Sequence, residues 1–163
     1  MPRGYEQGPV PPSRSFCGRK ADPAPIERAE AFFAGPGTDG TVGVRTRLSR
    51  FATPADARRE FESLRSWIAG TCHRDDLPTA TNLISIDPGP HLGDDCYVVT
   101  EVLTLKGSDR AAGDTEIGTI DFILKGQLIV QVGVLAPRQK PDLLDKLARL
   151  QLERLVHPWG QLT

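Results

Sequence analysis

Four charged residues stand inside segments that otherwise read as apolar strands, and these are the residues that could do chemistry. Glu101 shares an alternating face with Tyr97, Val99, Leu103 and Leu105, and Asp121 shares one with Ile117, Thr119 and Ile123. A carboxylate buried without a partner loses its hydration and gains nothing in return. Arg45 and Arg47 lie two residues apart on a neighbouring strand and could neutralise such carboxylates if the faces meet in a cleft. The result would be a mixed apolar and charged pocket, suited to a small ligand or to acid-base chemistry with Glu101 or Asp121 carrying the proton. The plainer reading is that all four residues line the solvated face of a one-sided sheet.

The cysteines are Cys17, Cys72 and Cys96. An exported domain of this size is expected to pair two of them. A Cys72–Cys96 bridge would tie the end of a helix to the start of a strand and contribute roughly 3 kcal/mol by the chain-entropy argument. Pairing of Cys17 with either of the others, and three reduced thiols in a cytosolic protein, are the alternatives. The same loops hold His73, Asp75, Asp76, His91, Asp94 and Asp95, on paper a metal-ligand set. Their spacing matches neither C-x-x-C nor H-E-x-x-H, and Asp beside Gly and Pro usually caps helices or turns, so no metal and no cofactor is expected.

Other chemistries find less support. No serine sits in a G-x-S-x-G elbow, and neither a Walker A loop nor a G-x-G-x-x-G turn occurs. Twenty basic residues against 21 acidic ones give a net charge of -1, which removes the electrostatic case for a nucleic-acid partner. No apolar run approaches the roughly 20 residues of a membrane-spanning helix, and Met1 to Gly18 lack the basic-then-apolar order of a signal peptide.

The elements that must position these residues follow from periodicity. At 163 residues the chain is the size of one domain. Residues 1–25, rich in proline, read as an extended lead-in in which Tyr5, Phe16 and Cys17 are the docking residues. Ala29 to Ala34 is ambiguous between strand and helical turn. Val42, Val44, Thr46 and Leu48 alternate as a strand, and Thr53-Pro54-Ala55-Asp56 caps a helix carrying Ala57, Phe61, Leu64 and Ile68. Strands are expected at Leu83 to Ile86, Tyr97 to Leu105, Ile117 to Leu124 and Leu128 to Leu135, the last two joined by a hairpin at Lys125-Gly126-Gln127. A leucine-rich helix opens at Pro141-Asp142 and stops near Pro158. The expected fold is α+β, an antiparallel sheet of five or six strands packed on one side by two helices, spanning 26–158, with 159–163 as a tail.

The succession Phe51-Ala52-Thr53-Pro54-Ala55-Asp56-Ala57, Leu64-Arg65-Ser66-Trp67-Ile68 with Cys72, Leu92-Gly93-Asp94, the hairpin from Ile117 to Val134 and the final leucine-rich helix resembles the extracellular sensor domain of PknH-type actinobacterial kinases and related exported lipoproteins. The resemblance is one of pattern and has no catalytic signature. It implies an exported, non-enzymatic module with structural disulfides and a cleft for an unknown small ligand, here floored by Arg45, Arg47, Glu101 and Asp121. It carries the disulfide only as far as Cys72 and Cys96. On this view a kinase or membrane anchor has been trimmed away. The competing expectation, favoured by the missing signal peptide, is a cytoplasmic pocket enzyme of cyclase or isomerase type in specialised metabolism.

Overall fold

The computed structural model describes residues 6–9, 16–37, 40–76, 80–106 and 115–156. Along the chain these form β1 (Glu6–Gly8), β2 (Glu27–Gly37), β3 (Gly40–Arg50), α1 (Pro54–Gly70), β4 (Arg74–Asp76), β5 (Ala80–Pro88), β6 (Asp95–Leu105), β7 (Thr115–Lys125), β8 (Leu128–Ala136) and α2 (Pro141–Val156). All strands pair antiparallel in one eight-stranded sheet, ordered β1-β2-β3-β8-β7-β6-β5-β4. The α+β class holds, but the expected five or six strands are corrected upward. The two additions, β1 and β4, are three residues each. A run that short shows no period-2 signal, and β1 lies in the proline-rich lead-in.

Where the chain carries local signals, structure follows them. Thr53 accepts the Asp56 amide at 3.1 Å and Pro54 opens α1, so one orphan donor of the helix start is satisfied by side chain. At the β7–β8 hairpin Lys125 pairs with Leu128, leaving a two-residue turn whose first residue, Gly126, has φ +56. This is the sign a primed turn demands and glycine supplies without strain. Asp94 in the β5–β6 connection accepts the Gly126 amide at 2.7 Å and the Lys125 ammonium at 2.9 Å, which hooks that loop onto the hairpin tip.

Registers then decide which residues share a face. Val44, Val134, Thr119 and Thr100 form one cross-strand row, and Arg45, Gly133, Ile120 and Val99 form the adjacent row on the opposite face. Phe61, Leu64 and Ile68 of α1 pack with Tyr97, Val99, Phe122, Leu124 and Ile129 on the second of these faces. Leu144 and Ala148 of α2 pack with Val42, Val44, Val130, Val132 and Val134 on the first. The helices therefore lie on opposite sides of the sheet, not together on one side. The cause is visible in β8, where Ile129 points one way and Val130, Val132 and Val134 the other, the near-continuous apolar run of a strand buried on both faces.

Neither helix covers a whole face. α1 packs on β5, β7 and β8, and α2 on β7 and β8. On the α1 side the β2–β3 half is without a helix, and on the α2 side the β5–β6 half is. These two helix-free flanks are diagonal to one another.

Candidate functional site

The helix-free flank on the α1 side holds the basic residues singled out from sequence. Glu30 of β2 lies opposite Arg47 of β3, and Phe32 opposite Arg45, so all four share a face. Glu30 bridges both guanidiniums, through Oε2 to Arg45 Nη2 at 3.1 Å and through Oε1 to Arg47 Nε. Burial works against the Glu30 charge, yet the hydrogen bonds from Arg45 and Arg47 outweigh it and hold the carboxyl below its usual range. Arg47, with 14% of its side chain exposed, is pulled down by burial more than the Glu30 contact raises it, and the charges of Arg45 and Arg28 push the same way.

Glu101 lies on the same side, half-buried opposite Gly118. Three strand spacings separate β6 from β3, roughly 14 Å, so Glu101 does not meet the arginines directly. The arginines' carboxylate partner is instead Glu30, which the sequence reading missed. Its signal was present: Arg28, Glu30 and Phe32 alternate with Ala29, Ala31 and Phe33, the mark of a strand with one charged face.

Asp121 is not part of this surface. It pairs with Val98 and Val132 and faces α2, on the opposite side of the sheet from Arg45, Arg47 and Glu101. The even-odd offset of the β6–β7 register decides this, and alternation within each strand cannot reveal it. Asp121 is 1% exposed, and its Oδ2 finds no hydrogen-bond partner among the described residues. Burial first, and then the Asp145 charge on α2, push its carboxyl up to about 6.

The disulfide joins Cys17 to Cys72, with Cα atoms 5.7 Å apart, and Cys96 is free. The expected Cys72–Cys96 pairing is corrected for the same reason of parity. Cys96 stands opposite Ile123 and packs with Leu92 on the α2 side, whereas Cys72 packs among the α1 residues, with the sheet between them. The bridge fastens residues 16–25 along α1, where Arg19 also grips Glu60 with two bonds of 2.6 and 2.8 Å. Tyr5 lies outside the described residues, as does the tail.

The β5–β6 connection encloses a pocket of about 330 Å³ lined by Arg65, Pro88, His91, Asp94, Asp95 and Cys96 among others. Burial, then Asp121 and Asp95, push the Cys96 thiol up to about 12, so it stays protonated and is a poor nucleophile at neutral pH. The set weighed as metal ligands is divided: Cys72 is consumed in the bridge, Asp94 clamps the hairpin, and Asp95 accepts the Cys96 amide. No cluster of three or more ligating side chains occurs among the described residues. No helix among them is long and apolar enough to cross a membrane.

The architecture is a broad antiparallel sheet with one helix on each face and the chain before α1 stapled to the end of that helix. It is similar to the crystal structure of the extracellular domain of PknH from Mycobacterium tuberculosis, with a TM-score of 0.55 and 12% identity over 80% of this chain and 64% of that one. This chain thus spans just under two thirds of that structure, and at this identity the likeness is one of fold. No protein-family model and no curated protein matches the sequence.

Proposed function

We propose that the protein is an extracytoplasmic, non-catalytic ligand-binding or sensor module whose binding surface is the helix-free flank bearing Arg45, Arg47 and Glu101. The observation that carries this reading is the Cys17–Cys72 bridge on a fold like that of a kinase ectodomain. Such bridges form and persist in oxidising compartments. The ligand is a small molecule, and a kinase or membrane anchor is the partner that would act with the module. Asp121 is left out of the surface. An acid-base enzyme would need its proton carrier at a cavity within reach of substrate, and the group with a suitably raised pKa is sealed beneath α2.

Alkylation of the denatured protein followed by intact mass and peptide mapping tests the proposal. Without reductant, one adduct on Cys96 and a linked Cys17–Cys72 peptide are expected; with reductant, three adducts. Three adducts without reductant, in protein folded under oxidising conditions, would remove the case for export.

A further inference from the structure

We infer that the hollow beside the β5–β6 connection binds a small zwitterion of the amino-acid class, with its carboxylate on Arg65 and its ammonium on Asp95. This site stands apart from the surface proposed above and does not depend on it. Three side chains with a formal charge line the hollow: Arg65 of α1 on one wall, Asp94 and Asp95 on the other. Asp94 is already occupied by the Lys125 ammonium and the Gly126 amide. The other two are not. Asp95 gives Oδ1 to the Cys96 amide at 2.8 Å, and its Oδ2 has no partner among the described residues. The guanidinium carbon of Arg65 lies 5.9 Å from the centre of the Tyr97 ring, and no hydrogen bond or ion pair joins Arg65 to another described residue.

Two opposite charges thus face one cavity without closing on each other. Asp95 and Tyr97 alternate onto the α1 face of β6, so Asp95 stands one side-chain step, roughly 7 Å, along the strand from the ring that seats Arg65. That gap matches a carboxylate and an ammonium borne on one carbon, with a charge-assisted hydrogen bond of about 2.8 Å at each end. An inorganic ion satisfies only one of the two walls. The walls are also fixed before a guest arrives. A Cβ on Gly89 would come within 2.6 Å of Cys96 Sγ, and one on Gly93, whose φ is +66, would strike the Leu124 carbonyl, so both glycines let the connection lie directly against the strand ends. The hook of Asp94 on the hairpin tip keeps it there, and the Tyr97 ring holds the guanidinium by a cation–π contact. Little ordering is left for the ligand to drive. Pro88 and Pro90 give an apolar side chain something to rest on, and about 330 Å³ is the small end of the range for ligand cavities.

The test is isothermal titration of the disulfide-bonded protein with L-leucine, isocaproate and isopentylamine, the last two being the leucine frame without its ammonium or without its carboxylate. Leucine is expected to bind about tenfold or more tightly than either, because each lost end removes a charge-assisted contact. Arg65→Gln and Asp95→Asn are each expected to weaken leucine by about tenfold or more, while Arg47→Gln on the sheet flank leaves it unchanged. Arg65 is exposed, and asparagine at 95 keeps an acceptor for the Cys96 amide, so both variants are expected to fold. If circular dichroism shows that one does not, the other decides alone. Leucine binding that survives both substitutions, or isocaproate that binds as tightly as leucine, overturns the inference. Leucine binding lost in Arg47→Gln and kept in Arg65→Gln also overturns it, and puts the guest on the helix-free flank instead. No binding of leucine at millimolar concentration overturns it and leaves the flank reading as it stands.

Discussion

The two helix-free flanks of the sheet are built alike and furnished differently. Each is the half of a face that its helix does not reach. The α1-side flank carries Arg28, Glu30, Phe32, Arg45 and Arg47, whereas the α2-side flank presents Leu83, Ser85, Val98, Thr100, Val102, Ile117 and Thr119, with Arg74 opposite Leu83 and Asp87 opposite Val98 at its margin. Leu83 there is 48% exposed. Charge stands at the centre of the first flank and only along the margin of the second, and a charged centre discriminates between ligands by sign. On the reading proposed above, the arginine side is accordingly the surface that would recognise a small molecule.

The buried halves differ too. The α1 side is held by a covalent tie and an ion pair, the α2 side by packing over an unpaired carboxylate. The largest expected effect breaks the first of these. Replacing Cys17 and Cys72 with serine opens a closed loop whose ends are 55 residues apart, and the chain-entropy relation gives a loss of about 4 kcal/mol, measurable by urea unfolding. Alanine at Cys96 should cost well under half of that.

Asp121→Asn sharpens the comparison from the other side. Because the folded carboxyl is raised to about 6 from 3.8, the native state holds its proton while the unfolded chain releases it, so the wild type loses stability as pH climbs from about 4 to about 6. The asparagine variant escapes that loss. It is expected to be more stable than wild type by about 2–3 kcal/mol at pH 8 and equal to it near pH 4, in paired denaturation curves. Equal stability at both pH values would mean that Asp121 is solvated or paired. The smallest effect is at the flanks themselves: Leu83→Ser and Leu135→Ser, both at exposed positions, should each shift stability by no more than about 0.5 kcal/mol in urea unfolding.

Much of this was legible from local chemistry. The Thr53-Pro54 start of α1, the Gly126 turn and the alternation of β3 are each decided within a few residues, and each stands where periodicity put it. What escaped depends on relations between distant segments. Whether Asp121 joins Glu101 turns on an even or odd register sum between β6 and β7, and whether Cys72 can reach Cys96 turns on which face β6 gives to its first side chains. Glu30 was hidden because its segment, flanked by Gly35-Pro36-Gly37, fitted a short strand and a helical turn equally well.

Both margins of the sheet end in three-residue strands, β1 followed by Pro9 and β4 following the bridged Cys72. A broad pleated sheet with long bare borders would recruit neighbouring molecules by strand addition and grow into fibrils. Here each outermost strand is three residues long, and the stretch of β2 that β1 leaves uncovered carries Glu27, Arg28 and Glu30, charges that oppose such addition.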